Sequence, residues 1–479
     1  MSLPDNAFTR RRFLRTAALG AVSGAQLAWS ADDKSVPAPG GAYFNEPSAR
    51  LPVVNDADVI VCGAGPAGIA AAITAARAGA RTRLFEVHGC LGGVWTAGLL
   101  TYIFDFDKPG LTRELVKKLD ERDARRNRNP SRFTYEPEAM KLLIEEMCVA
   151  AGVKIQLHTR VAAAYRQGRR LTTIITESKS GREAWTAPVF IDATGDGDLG
   201  AQAGCSWETG QAKDCPCQPL TMNALAVVKD AAVLGKFISF NDTDEFTGPG
   251  GHLTCVEAFK AELKRAGVTA SYGHPTLFHV RDNLVMLMLN HEYGIMAYDS
   301  AKITEATLRS RAEIHRAAAA LRALGGAWEG LQIAATAEQI GVRDGRRIRG
   351  RYTVTKEDLI QGAKQPDAVC RATFGVDIHA ENPDQNLAAA VSHGGIKTKP
   401  YDIPLRALIA REVDGLMMAG RCISGDFLAH ASYRVTGNAV AMGEAAGVVA
   451  AIAARSGRLP HEVEWSEGAA QLAKTGQRI

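Results

Sequence analysis

The chain has 479 residues, too many for one simple core, so two domains or an inserted domain are expected. Its residues are 46% hydrophobic and 23% charged, the balance of an ordinary globular protein. The net charge of +4 is small, and residues 1–30 hold most of it: Arg10, Arg11, Arg12 and Arg15 stand against Asp5 alone. The near-neutral remainder gives no support for a nucleic-acid partner or a strongly electrostatic membrane partner.

In chain order, Thr9-Arg-Arg-Arg-Phe-Leu-Arg15 precedes a mildly apolar, alanine-rich stretch to Trp29, and Ala28-Trp29-Ser30 offers small residues at a cleavage point. This resembles a twin-arginine export signal, with Arg15 where lysine is more usual, and implies a periplasmic destination. The apolar stretch is too short and too weakly hydrophobic to span a bilayer, so no integral membrane span is expected in the mature chain. Residues 31–55, with Pro37, Pro39, Gly40, Gly41, Pro47 and Pro52, read as a leader.

The sequence Asp58-Val-Ile-Val-Cys62-Gly-Ala-Gly-Pro-Ala-Gly68 then joins an apolar strand to an alanine-rich helix through a GxGxxG turn. Gly63 permits the turn, Gly65 lets the backbone approach a pyrophosphate, and Gly68 lets helix pack on strand. A second strand ends at Glu86, about 20 residues on, where a ribose hydroxyl is held in such folds. The cluster Leu91-Gly-Gly-Val-Trp-Thr-Ala-Gly98 follows closely and suits the wall of a flat cofactor.

Helices are predicted over Leu111–Arg126 and Glu136–Ala151, and strands over Val153–Thr159, Arg170–Glu177 and Glu183–Pro188. Val189–Asp198 reads as a buried strand leading into a turn rich in glycine and aspartate. The region 205–397 is mixed, with helical runs at Cys255–Ala266 and Ile303–Leu324 and strand candidates at Leu284–Asn290 and Arg349–Thr355. It reads as an inserted substrate domain. The dinucleotide fold returns over 398–479 with Met418-Ala-Gly-Arg421 and a final helix very rich in Ala and Gly. Nine cysteines, an odd number at scattered spacings, show no redox or zinc pattern. Cys215-Pro-Cys217 is the one close pair, and no metal site is expected.

Together, residues 57–455 resemble the bacterial FAD-dependent oxidoreductases with a glutathione-reductase-type flavin fold. The matches are GAGPAG (63–68), GGVWTAG (92–98), IDATGDGD (191–198), GVRDGRRIRGRYTVTKEDL (341–359), VDIH (376–379), YDIPLRALI (401–409) and MAGRCISGD (418–426). The resemblance implies an α/β chain: a Rossmann-like FAD-binding domain over 56–204 and 398–479, with a mixed α+β substrate domain inserted between. It implies that FAD meets Gly63, Gly65, Ala67, Gly68, Glu86, Gly92, Gly93 and Thr96. Asp196, Gly420, Arg421, Asp426, Thr436, Gly437 and Asn438 complete that expected set. His88 and Cys90 are candidates for a covalent flavin bond, beside the alternative of a non-covalent site.

For the chemistry, Asp377 and His379 alternate along an expected strand and share a face, with Arg434, His393 and His430 in stretches leading toward the flavin. A lone histidine is as readily a structural group as a catalyst. Arg343, Arg346, Arg347, Arg349 and Arg351 suit either a carboxylate or phosphate ligand or an acid-paired face. The expected function is an exported oxidoreductase acting on a small molecule by hydride transfer at flavin N5, with quinone, cytochrome or oxygen as electron acceptor. The alternatives are a flavin-binding electron carrier without its own turnover, or a thiol-disulfide flavoprotein using Cys90 or Cys215 and Cys217.

Overall fold

A computed structural model describes residues 44–126, 129, 131–211, 217–240 and 251–476. The twin-arginine segment, most of the leader and Cys215 lie outside them. The chain divides into two compact units, Met1–Ser48 and Ala49–Ile479. Of the first, only residues 44–48 are described, as exposed irregular chain.

In the second unit, three short apolar runs form the centre of a parallel sheet. Val59–Cys62 pairs with Val189–Asp192 on one side and Thr82–Phe85 on the other, and Leu416–Met418 and Lys154–Gln156 take the edges. Val59–Cys62, Val189–Asp192 and the edge strand Leu416–Met418 are buried at every residue, as a sheet covered on both faces demands. Proline opens the helix Pro66–Arg77, at the one turn where its missing N–H costs nothing.

Against that helix lies Thr436–Ser456. A Cβ on Gly443 or Gly447 would strike the carbonyls of Ala67 and Ala71, so glycine sets how closely the two helices approach. Thr436–Ser456 is long and apolar enough to cross a bilayer, but 89% of its apolar window is buried inside the fold.

The strands Arg160–Gln167, Arg170–Ser178 and Gly181–Thr186 form an antiparallel meander, and Val53–Val54 adds a parallel edge. The sequence reading missed the first of these, whose three alanines carry little strand preference. It also ran the helix from Leu111 to Arg126. The helix ends at Glu121 because Asp123 adopts φ +51°, and Arg125–Arg126 turns into a strand.

A second core gathers on the antiparallel sheet Thr276–Arg281, Leu284–Met288, Ala224–Val227, Gln332–Thr336, with Phe259 of helix His252–Arg265 and Ile314 and Leu321 of helix Ser300–Ala323. Its buried members run from Leu220 to Ile340, joined by Leu99 and Tyr102. From Ile348 onward the buried hydrophobic side chains, apart from Ala380, Ala390 and Phe427, belong to the first core. Apart from Leu99 and Tyr102, the buried members of the second core lie inside the expected insert of 205–397. The strand expected at Arg349–Thr355 is replaced by the two-residue strand Arg347–Ile348, paired with Trp207–Glu208, and irregular chain. Apolar periodicity cannot tell which of two cores a residue will join, and this stretch serves the first.

Candidate active site

A cavity of about 480 Å³ runs from the glycine turn to the second sheet. Gly63, Gly65, Ala67, Glu86, Gly93, Gly420, Arg421 and Thr436 line it, as do Asp377, His379 and Arg434. Gly65 is the telling member of the first group. A Cβ built there meets no atom within 4 Å, so it would stand in open cavity beside a helix N-terminus whose first N–H groups have no partner in the helix. Glu86 is buried at the end of its strand, and its carboxylate accepts from Ala64 N at 2.7 Å and His88 N at 3.0 Å.

Other expected cofactor residues stand behind this lining. A Cβ on Gly68 would strike the carbonyl of Gly63, and one on Gly437 the carbonyl of Asp105. The Thr96 hydroxyl donates to Leu91 O, and Gly92 opens the short helical turn that carries it. Asp196 pairs with Arg421 at 2.9 Å. Asp426 caps the helix Phe427–Tyr433 by accepting from Ala429 N. Asn438 is buried and accepts from the Cys370 thiol at 3.4 Å. These residues shape the wall from outside the cavity. His88 lines the cavity with Nδ1 3.2 Å from Glu338, whereas Cys90 does not, and its Sγ faces the Thr96 hydroxyl at 3.7 Å.

At the other end, the side chains come from widely separated segments. The Thr221 hydroxyl donates to Asn290 O at 3.1 Å, so its oxygen accepts from Arg343 Nη1 at 2.7 Å and from His291 Nδ1 at 2.9 Å. Nδ1 of His291 also lies 2.7 Å from Asn290 O, an atom that only accepts. The proton of His291 is thereby fixed on Nδ1, and Nε2 accepts from His379 Nδ1 at 3.0 Å. The free nitrogen of His379, Nε2, lies 3.4 Å from Asp377 Oδ2. Tyr272 stacks on His291 with ring centres 3.9 Å apart.

Arg434 Nη2 donates to Asp377 O at 2.8 Å, to Gln218 Oε1 at 3.1 Å and to Asp377 Oδ2 at 3.4 Å. Gln218 Oε1 also accepts from the backbone of His379 at 3.1 Å. Burial, then the charge of Arg343, pulls His379 down to about 4, against the opposing pull of Asp377. Burial would raise Asp377, but His379, Arg434 and Arg343 hold its carboxyl well below the usual carboxylate range. At neutral pH the pair is a neutral imidazole beside a carboxylate, with an acceptor lone pair at Nε2.

The model of the FAD dependent oxidoreductase family matches residues 58–475. The chain belongs to that family. No curated protein matches it.

Among solved structures, this FAD dependent oxidoreductase is similar to a geranylgeranyl bacteriochlorophyll reductase-like protein from Thermoplasma acidophilum, at 13% identity and a TM-score of 0.43 over 88% of this chain and 83% of that one. The flavin-dependent brominase Bmp2 gives 10%, 0.45, 88% and 84% on the same four measures. The myxobacterial chondrochloren halogenase CndH gives 11%, 0.43, 88% and 78%. Likeness at this level says nothing about substrate or reaction.

The residues present fit FAD. Bare Gly65 backbone and the helix N-terminus suit the two phosphates, the Glu86 carboxylate suits a ribose hydroxyl, and the turns at Gly93 and Gly420 suit a flat ring. The sequence reading missed His291 in this oxidoreductase, together with Gln218, Thr221 and Tyr272 around it. No motif surrounds His291; only the fold sets it against His379. His393 lies outside the cavity, with Nδ1 2.8 Å from Val376 O. His430 is fully buried, with both ring nitrogens lacking a hydrogen-bond partner, and burial holds it neutral. Among the described residues no cysteine lines the cavity, and Cys217 is buried and disulfide-bonded.

Proposed function

We propose that this enzyme oxidises or reduces a small organic molecule by hydride transfer to or from flavin N5, with His379 handling the accompanying proton. The observation that carries this reading is the ordered chain Thr221–His291–His379–Asp377, in which Thr221, His379 and Asp377 line the same cavity as the glycine turn and His291 is buried behind them. FAD, when bound, supplies the two-electron chemistry. The protein does the rest. His291 holds the His379 proton on Nδ1 and leaves Nε2 bare. Asp377 stabilises the imidazolium that forms when Nε2 takes a proton, and Arg434 holds Asp377 in place. In the reductive direction the same Nε2–H is the donor.

We further read the flavin half as the glutathione-reductase type, on the order and spacing of its motifs, and residues 1–30 as a twin-arginine signal delivering a folded flavoprotein to the periplasm. No second GxGxxG occurs between Cys205 and Lys397, in the expected insert, which favours quinone, cytochrome or oxygen over a nicotinamide as electron partner. The test is anaerobic bleaching of the yellow holoenzyme by hydroxyacids, sugars or thiols, and reoxidation of the reduced form by unsaturated acids. One compound that changes the colour rapidly in wild type and slowly in His379→Asn supports the reading. A response to dithiols alone, or to a partner protein alone, defeats it.

A further inference from the structure

Five arginines crowd the stretch from Arg343 to Arg351, and the fold treats them differently. Arg346 pairs with Asp198 at 2.8 Å, Arg347 with Asp344 at 3.1 Å, Arg349 with Glu208, and Arg351 with Asp414 at 3.8 Å. Arg343 has no acid partner among the described residues. It lines the cavity, and its Nη1 donates to two neutral oxygens, Pro219 O at 2.8 Å and Thr221 Oγ1 at 2.7 Å.

Burial and the nearby Arg434 pull its guanidinium down only to about 10, so it stays charged at neutral pH. A partly buried cation lining a cavity without a counter-ion is destabilised by desolvation unless an anion joins it. Around His379 the fixed charges are Arg343 and Arg434 against Asp377, leaving one positive charge over. Arg434 is already committed to Asp377, and a planar guanidinium is shaped for a carboxylate.

We propose that the substrate is a small monocarboxylic acid whose carboxylate pairs with Arg343 at the His379 end of the cavity. This rests on the oxidoreductase reading above and narrows it to a substrate class. The Thr221 hydroxyl, shared by Arg343 and His291, links the anchor to the proton-handling histidine, so the anchor also fixes where the substrate sits relative to Nε2.

The test titrates holoenzyme by calorimetry with a panel of short monocarboxylates, their uncharged amides and inorganic phosphate, and follows the flavin absorbance in parallel. At least one acid should bind about tenfold or more tightly than its amide. Arg343→Gln should lose that preference, Arg343→Lys should keep part of it, and Arg349→Gln should behave as wild type. Equal binding of acids and amides by the unmodified protein overturns the proposal, as does phosphate competing on a par with the best acid. Arg343→Gln that keeps its flavin and its full acid preference overturns it as well. Because colour reports the flavin and heat reports the acid, a failure of flavin uptake is distinguishable from a failure of the carboxylate anchor.

Discussion

The two ends of the cavity are built in different ways. The cofactor end is made of backbone: bare Gly65, the start of one helix, and turns at Gly93 and Gly420, within two short stretches of chain. The substrate end is made of side chains from five separated segments, around Gln218–Asn223, Asn290–His291, Arg343, Asp377–His379 and Arg434. A backbone cradle needs glycine at fixed spacing. A side-chain network needs only that the fold bring its members together, so its members carry no spacing of their own.

The largest effect is expected from breaking the first end alone. Gly65→Val places a Cβ in open cavity with no atom beyond its chain neighbours within 4 Å, so the apoprotein should fold and melt near the wild-type temperature. Purified protein should be colourless. Gly68→Val, by contrast, drives a side chain into the Gly63 carbonyl and should fail to accumulate as folded protein. Thermal melts with flavin-to-protein ratios check both, and a yellow Gly65→Val protein would refute the backbone account.

At the second end, His379→Asn should retain flavin and lose about 10²–10⁴-fold in kcat. The pH dependence follows from the same burial. His379 sits near 4 in the fold against 6.5 in the open chain, so between those values the unfolded chain holds more protons. Stability is then complete above pH 6.5 and falls as pH drops toward 4, by on the order of 3 kcal/mol from this residue. His291 and His430, also held neutral by burial, add in the same direction. Urea melts from pH 7 to 4 on wild type and His379→Asn should separate the His379 share. A wild-type stability flat over that range would contradict the burial argument.

A smaller effect is expected from His291→Phe, which keeps a ring against Tyr272 but removes the acceptor for His379 Nδ1. With Nε2 then free to carry the proton, kcat should fall by roughly tenfold to a hundredfold and the acid limb of its pH profile should move. Flavin content should not change. A loss of stability with unaltered kcat would make His291 a packing residue only.

Much of this contrast was legible beforehand, and its limits have physical causes. The GxGxxG turn, Glu86 and the final helix are local signals, with glycines spaced by the contacts they make. The alternation of Asp377 and His379 placed both on one face, and they meet at 3.4 Å. His291 could not be seen, because its partners lie 70 and 88 residues away. Thr96, Asp426 and Asn438 sit within five residues of cavity residues in the sequence, yet their side chains bond to the protein behind the wall. Adjacency to a motif does not decide which way a side chain points.

The smallest expected effect tests that last point within a single stretch. Arg347 and Arg349 are two residues apart and look alike in sequence. Arg347 is buried against Asp344 and also donates to Gly425 O at 3.0 Å and Gly210 O at 2.9 Å. Removing its charge strands Asp344, already raised by burial, and should cost about 3–5 kcal/mol. Arg349 meets Glu208 with both side chains more than a third open to water. Solvent screens that pair, so Arg349→Gln should shift stability by no more than about 0.5 kcal/mol and leave flavin content and kinetics unchanged. Equal costs for the two substitutions in matched urea titrations would mean that burial, which separates these arginines here, does not set their roles.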